Sequence, residues 1–308
     1  MRKIISVLTL TLALTLTLAL ASGPGQAQDN MADVKITTTE IKGGVYMLQG
    51  RGGNIGVAAG EDGIFLIDDQ FAPLTDKILT ALKEISNKPV KFVINTHYHF
   101  DHTGGNENLG KKSAIIVAHD NVYKRLSTDQ VIEFFNRATP AQPKEALPVL
   151  SFNDQVTFHL NGQHITAKHF AHAHTDGDSV LFFNDHNIIH TGDLFFNGFY
   201  PFIDTGAGGS IYGLIRAVGQ LLDMADEETI IIPGHGPLAR RQDLQNFHDM
   251  LTGVVAAVEP LARAGLTYEA AVEKNPLRAY NDNWGDGFLK PDDFLKIIYP
   301  TVQKKVSK

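Results

Sequence analysis

The chain has 308 residues, 43% of them hydrophobic and 20% charged, which excludes disorder, collagen-like repeats and low complexity and leaves room for one large domain or two small ones. Lys and Arg number 27 against 34 Asp and Glu, and a formal charge of −7 argues against nucleic acid as a partner, because neutralising phosphates takes a basic excess. There is no cysteine, so thiolate zinc sites, iron–sulfur clusters, disulfide frameworks and cysteine nucleophiles are excluded together, and 13 histidines are left to carry metal chemistry.

Residues 1–27 read as a secretory signal peptide. A basic head, Met1-Arg2-Lys3, precedes an uncharged Leu- and Thr-rich run from Ile4 to Ala21, then the small, helix-breaking stretch Ser22 to Ala27. Cleavage is expected after Ala27, with Ala19-Leu20-Ala21 as the second choice. Threonines 9, 11, 15 and 17 make a retained membrane anchor the weaker reading. The expected mature protein is periplasmic or secreted, acidic, without stable membrane association, and directed at a small molecule. Its oligomeric state is not legible.

No repeat or linker divides residues 28–308, which are expected to form one domain with a helical C-terminal segment. Val45 to Ala59 and Ile64 to Ile67 read as strands joined by the turn Gly60-Glu61-Asp62-Gly63. Leu74 to Ile85 has helical spacing, and Val90 to Asn95 is a short strand of the buried type. Ala114–Val117 then reads as strand and Asp120–Arg137 as helix. Strands follow at Val156–Leu160, Ile165–Phe170 and Val180–Phe183, and a turn, Asn184 to Asn187, leads into Ile188-Ile189. Ser210 is placed to cap a helix with one apolar face, Thr229–Ile232 is a strand, and Gln242 to Lys304 is mostly helical. This order predicts an α/β protein with sheets sandwiched between helices.

The strongest chemical signal is Thr96-His97-Tyr98-His99-Phe100-Asp101-His102-Thr103-Gly104-Gly105, delivered by the strand Val90–Asn95. His97 and His99, two apart, share a face of extended chain, whereas the adjacent Asp101 and His102 require a turn. Four metal-competent side chains in six residues are what a dinuclear site needs: two imidazoles for one ion, a carboxylate and a third imidazole for its neighbour. Further candidates stand where apolar strands end in small-residue turns: His172 and His174, Asp193 in Thr191-Gly192-Asp193, and His235 in Gly234-His235-Gly236.

Taken together and in this order, these motifs resemble the metallo-β-lactamase-fold hydrolase superfamily over about residues 40 to 240. The resemblance implies a four-layer αβ/βα sandwich with a metal site along one sheet edge. It implies His97, His99 and His174 on one metal, Asp101, His102 and His235 on the second, and Asp193 bridging both. Asp68 matches the aspartate that orients a ligating imidazole. His174 is preferred to His172 because Thr175 and Gly177 follow it; His172 is either a supporting residue or a solvated loop histidine. His190 is expected to be buried rather than ligating, and His119, His159, His164, His169, His186 and His248 show no partner pattern.

Nitrogen and carboxylate ligands without sulfur favour two Zn²⁺ per chain, with iron or manganese as alternatives. The expected chemistry is attack of a metal-bound hydroxide on a carbonyl centre, with Asp101 also handling the leaving group's proton. Export points to β-lactam hydrolysis as the lead. A lactonase, esterase or glyoxalase II-like thioesterase is the alternative, because an aspartate at position 193 resembles those branches. A phosphodiesterase or an iron oxidoreductase ranks lower. The aromatic run from Phe195 to Phe202 reads either as a pocket wall or as core, and Trp284 is a weaker candidate for the same wall.

Overall fold

The computed structural model describes residues 31–307, so the expected leader over 1–27 lies outside the described residues. The chain enters through a meander in which β1 (Thr37–Lys42), β2 (Val45–Gln49), β3 (Ile55–Gly60) and β4 (Gly63–Ile67) pair antiparallel in succession. The single strand expected over Val45–Ala59 is thus two strands, because residues 50–54 turn the chain back on itself. Helix α1 (Thr75–Ile85) then returns the chain so that β5 (Val90–Asn95) lies parallel to β4, as a crossover through a helix requires. Two short helices, α2 (Phe100–Thr103) and α3 (Asn106–Gly110), lead to β6 (Ile115–His119), parallel to β5.

Helix α4 covers only Asp120–Leu126, not the expected Asp120–Arg137. The Leu126 carbonyl accepts from Gln142 N and Asp129 Oδ1 accepts from Ala141 N, which cross-ties the chain. Between these ties it folds into a hairpin, β7 (Gln130–Ile132) and β8 (Arg137–Thr139). β9 (Leu150–Phe152) completes a seven-stranded sheet in the order β1-β2-β3-β4-β5-β6-β9.

The second sheet runs β10 (Gln155–Leu160), β11 (Gln163–His169), β12 (Ser179–Phe183) and β13 (Ile188–His190), all antiparallel. Helix α5 (Ile211–Met224) crosses over to β14 (Ile230–Ile232), parallel to β13. Ser210 stands at the start of α5 as expected, but its hydroxyl makes no cap hydrogen bond; its backbone N–H donates to Ala173 O instead. The C-terminal segment is helical: α6 (Arg241–Arg263), α7 (Tyr268–Glu273), α8 (Arg278–Trp284) and α9 (Pro291–Val306).

Alternation along the strands builds the layers. Phe65 and Ile67 of β4 face inward with Ala58, Ile94 and Val117, against Ile165, Leu181, Phe183 and Ile188 of the other sheet. The neighbours Ile64, Leu66 and Val93 face outward onto Ile78 and Leu82 of α1. Val180, Ile189 and Ile231 do the same on the far side, packing under α5, α6 and α9. The result is helix, sheet, sheet, helix: the four-layer sandwich the resemblance implies. Both faces of these strands are buried, which is why they read as continuous apolar runs rather than alternating ones. Each fully buried Leu or Phe contributes about 1.5–3 kcal/mol of transfer free energy, so the inter-sheet layer firmly sets where the strands end.

Candidate metal centre

The carboxyl ends of the parallel strands converge at one edge of the sandwich, the usual site-building position in open α/β sheets. Asp68 follows β4; His97, His99, Asp101 and His102 follow β5; Asp193 follows β13; and His235 follows β14. His174 comes from the loop between β11 and β12. All seven sequence-predicted ligands meet here, in two groups.

In the first group, His99 Nδ1 lies 3.1 Å from His97 Nε2 and 2.9 Å from His174 Nε2. Asp193 Oδ2 stands 3.7 Å from His97 Nε2 and 3.4 Å from His174 Nε2. In the second, His102 Nε2 is 3.3 Å from His235 Nε2 and 3.7 Å from Asp101 Oδ2. Asp193 turns its other oxygen, Oδ1, to this group, 3.1 Å from His102 Nε2 and 3.4 Å from His235 Nε2. One carboxylate therefore faces both groups, one oxygen to each.

Whether these residues fit metal ions is decided by the far side of each ring. His102 Nδ1 donates to Asp68 Oδ2 at 2.7 Å, His174 Nδ1 to Phe202 O at 2.7 Å, and His99 Nε2 to Asp204 Oδ2 at 3.0 Å. Thr96 Oγ1 spends its own proton on Asp68 Oδ2, so at 3.0 Å it accepts from His97 Nδ1. With the outer nitrogen protonated in all four rings, the inner nitrogens point lone pairs at one another. Asp193 Oδ1 adds a buried acceptor with no hydrogen-bond donor. Converging lone pairs only about 3 Å apart are repulsive without a cation among them, so the donor set fits two metal ions with imidazole and carboxylate ligands.

The electrostatics differ between the two groups. In the second, against the effect of burial, the carboxylates of Asp193 and Asp101 draw His102 well above its ordinary value and His235 up to about 9, a demand for positive charge that a cation would answer. The first group's imidazoles are instead pushed down. Burial pushes His174 down to about 4, and burial together with the neighbouring His102 ring holds His97 well below its ordinary value. Both rings are therefore neutral and able to ligate at neutral pH. Burial disfavours charge on Asp193, but the surrounding imidazoles, His102 first, outweigh it and keep this carboxyl ionised.

Small residues make room for the cluster. A Cβ on Gly234 would come within 2.1 Å of Asp193 Oδ1, and one on Gly53 within 2.1 Å of a His102 ring atom. The glycine before His235 is thus a steric requirement of the site.

Several supporting residues were not assigned from sequence. Asp204 anchors His99 and also accepts from Tyr98 Oη at 2.5 Å and Ala207 N at 3.0 Å. Those contacts hold it down to about 2 against the opposing effect of burial. Asp178 accepts from His174 N and Thr175 N at 2.8 Å and so fixes the turn that presents His174. The only sequence signal for Asp178 was its place in the His174-to-Asp178 run; for Asp204 there was none.

The remaining histidines divide cleanly. His172 is exposed at φ +55°, with Nδ1 facing Gly208 O, so it is the solvated loop histidine of the two readings. His190 is buried as expected, with Nε2 against Asn54 O. His119 and His169 do have a pattern: their rings stack at 3.7 Å.

The aromatic run is both wall and core. Phe196, Phe199 and Phe202 line a cleft of about 530 Å³ that also contains His99, Asp101, Asp193 and His235. Phe195 packs on Phe247, and Tyr200 stacks on Phe294 at 4.7 Å. Trp284 packs against Phe247 rather than in this cleft, where Phe288 stands instead.

A four-layer sandwich with two imidazole–carboxylate groups sharing one aspartate is the architecture of a metallo-hydrolase. The family model described as the metallo-β-lactamase superfamily matches residues 48–235, and the chain belongs to that superfamily. It is similar to the 2,4-dinitroanisole O-demethylase subunit alpha of Nocardioides sp. (strain JS1661), at 22% identity over 85% of this chain and 77% of that one. It is also similar to the probable metallo-hydrolase YqgX of Bacillus subtilis, at 26% identity over 56% of this chain and 83% of that one. Among solved structures, a metallo-β-lactamase from Pontibacter korlensis superposes with TM-score 0.58 at 19% identity, over 71% of this chain and 99% of that one. The sec-alkylsulfatase Pisa1 from Pseudomonas sp. gives TM-score 0.63 at 16% identity, over 86% of this chain and 50% of that one. At these identities the structural likeness speaks for the fold alone.

Proposed function

We propose that this protein is an exported, dinuclear zinc hydrolase that opens a carbonyl–heteroatom bond, with a β-lactam ring as the lead substrate and a lactone or carboxylic ester as the runner-up. The observation that carries the reading is Asp193, whose two oxygens each face a separate imidazole group. Two bound divalent ions supply Lewis acidity and an activated water at neutral pH. Asp68, Thr96, Asp204 and the Phe202 carbonyl hold the imidazoles in the ligating tautomer. The phenylalanines around the cleft exclude bulk water and hold an apolar substrate against the ligands. Asp101, partly open to the cleft, is placed to pass a proton to the leaving heteroatom. Overall, water adds across the bond: C–O forms, the carbonyl–heteroatom bond breaks, and a water proton ends on the heteroatom.

Support for export is the leader pattern in residues 1–27. Among the described residues, no helix is long and apolar enough to cross a membrane. The test is a panel on zinc-loaded protein: a chromogenic cephalosporin, lactones, aryl esters, a thioester, a phosphodiester and, prompted by the demethylase relative, an aryl ether. Cephalosporin turnover no faster than zinc in buffer, beside clear opening of lactones or esters, transfers the assignment to the runner-up. No turnover of any member overturns the hydrolase.

A further inference from the structure

The cleft over the centre has a composition that the sequence does not display. Its apolar wall is phenylalanine: Phe100, Phe135, Phe196, Phe199, Phe202 and Phe288 among others. Two of these stand at its mouth with much of their surface open, Phe135 at 42% and Phe288 at 55% exposure. Phe135 belongs to the β7–β8 hairpin, and Phe288 follows α8, beyond the residues that the family model matches.

Apart from the metal ligands, the charged residues lining the cleft are both guanidiniums, Arg51 and Arg137. This is notable in a chain whose acidic residues outnumber its basic ones, 34 to 27. Arg137, the first residue of β8, stands over the Phe100 ring, 3.4 Å from its centroid, and Phe100 sits between the ligands His99 and Asp101. Among the described residues no carboxylate forms an ion pair with Arg137. Stacking on an aromatic face leaves the in-plane N–H fork of a guanidinium available to a planar anion.

We propose, building on the hydrolase reading, that the substrate class is an aryl or similarly flat apolar body bearing one anionic group, which Arg137 pairs while the phenylalanines hold the ring. The site's selectivity then rests on the β7–β8 hairpin and the segment after α8, not on the metal ligands.

The test uses three probes of one shape and different charge, titrated calorimetrically into zinc-loaded full-length protein: 2-naphthalenesulfonate, 2-naphthalenemethanol and (2-naphthylmethyl)trimethylammonium. The sulfonate is expected to bind at least about tenfold more tightly than the alcohol, the worth of one charge-assisted hydrogen bond, with the ammonium weakest. Arg137→Gln should collapse the sulfonate-to-alcohol ratio to less than about threefold, and Arg137→Lys should restore part of it. Equal binding of sulfonate and alcohol overturns the proposal. So does a sulfonate preference that survives Arg137→Gln, which would mean that the ions alone hold the anion. Turnover of the ester panel is read separately, so a protein that discriminates the naphthalenes but opens no ester keeps the substrate class and loses the reaction.

Discussion

Asp204 acts on the centre through a ligand rather than by touching an ion. Its Oδ2 accepts both the His99 ring N–H and the Tyr98 hydroxyl, and Tyr98 in turn lies under Arg125, 5.3 Å from the ring centroid. Arg125 is held by Asp176 through a bidentate pair of 2.7 and 2.6 Å. Removing such an outer partner frees the imidazole to rotate or change tautomer, which costs about 10–100-fold in metal affinity. Asp204→Ala is therefore expected to weaken zinc by that factor in competition with a chelating dye, and Asp204→Asn, which keeps an acceptor, by less. A lower melting temperature with unchanged affinity would make Asp204 merely structural. Asp193→Ala should cost roughly two to three orders of magnitude in turnover while the fold persists, since it removes the shared ligand and little of the core. His172→Ala should leave far more activity than His174→Ala, because His172 is exposed whereas His174 is fully buried among the ligands. The reverse order would exchange their roles.

At the scale of elements, α4 depends on a histidine. The His119 ring accepts from Asn121 N at 3.1 Å and so caps the helix, while its Nε2 donates to Asn153 O. The stacked His169 donates from Nδ1 to Asp178 O. Burial lowers the pKa of both rings, and for His169 the facing His119 adds to the effect. The other charged groups nearby are Asp120 and Asp176 facing His119, and Asp176 and His172 facing His169. In the unfolded chain these rings titrate near ~6.5, so below that pH the unfolded state takes up protons that the folded state refuses. Their contribution to stability is complete above ~6.5 and is lost as pH falls through and below that value. His119→Asn keeps an acceptor at the cap and removes the titration, so its stability should fall less between pH 7 and pH 5.5 in denaturant unfolding. The metal ligands titrate in both proteins, so the difference between the two slopes isolates the pair; identical slopes would remove it as the cause. This helix also marks the limit of what the sequence could show. Strands buried on both faces and ending in a ligand are legible locally, which is why β5, β12 and the seven ligands were found. The hairpin over 130–139 was read as a continuation of α4 because tertiary ties, Gln142 N to Leu126 O and Ala141 N to Asp129 Oδ1, end the helix there. Arg137, Phe100 and Phe288 become neighbours of one cleft only through those folds, and nothing in their local sequence announces it.

Across the whole molecule, the centre joins the two halves of the sandwich. His97, His99, Asp101 and His102 follow a strand of the seven-stranded sheet, whereas His174, Asp193 and His235 come from the five-stranded one. Each group contains ligands from both: His174 and Asp193 complete the first, His235 the second. Metal ions bound here are thus cross-links between sheets that are otherwise held by the inter-sheet apolar layer. The inner lone pairs of His97, His99, His102 and His174 face their neighbours across only a few ångströms, a repulsion that a bound cation relieves. An ion that binds only the folded state stabilises it by RT ln(1 + [L]/Kd), about 4 kcal/mol at a thousandfold excess over Kd. For a chain of this size that amounts to a rise of about 6 °C in melting temperature. Zinc added to chelator-stripped protein should raise the melting temperature until about two ions per chain are bound. Elemental analysis should find the same stoichiometry, and hydrogen exchange should slow at the ends of β5 and β14 together. Saturation at one ion, or protection confined to one sheet, would show that the two groups do not act as a single centre.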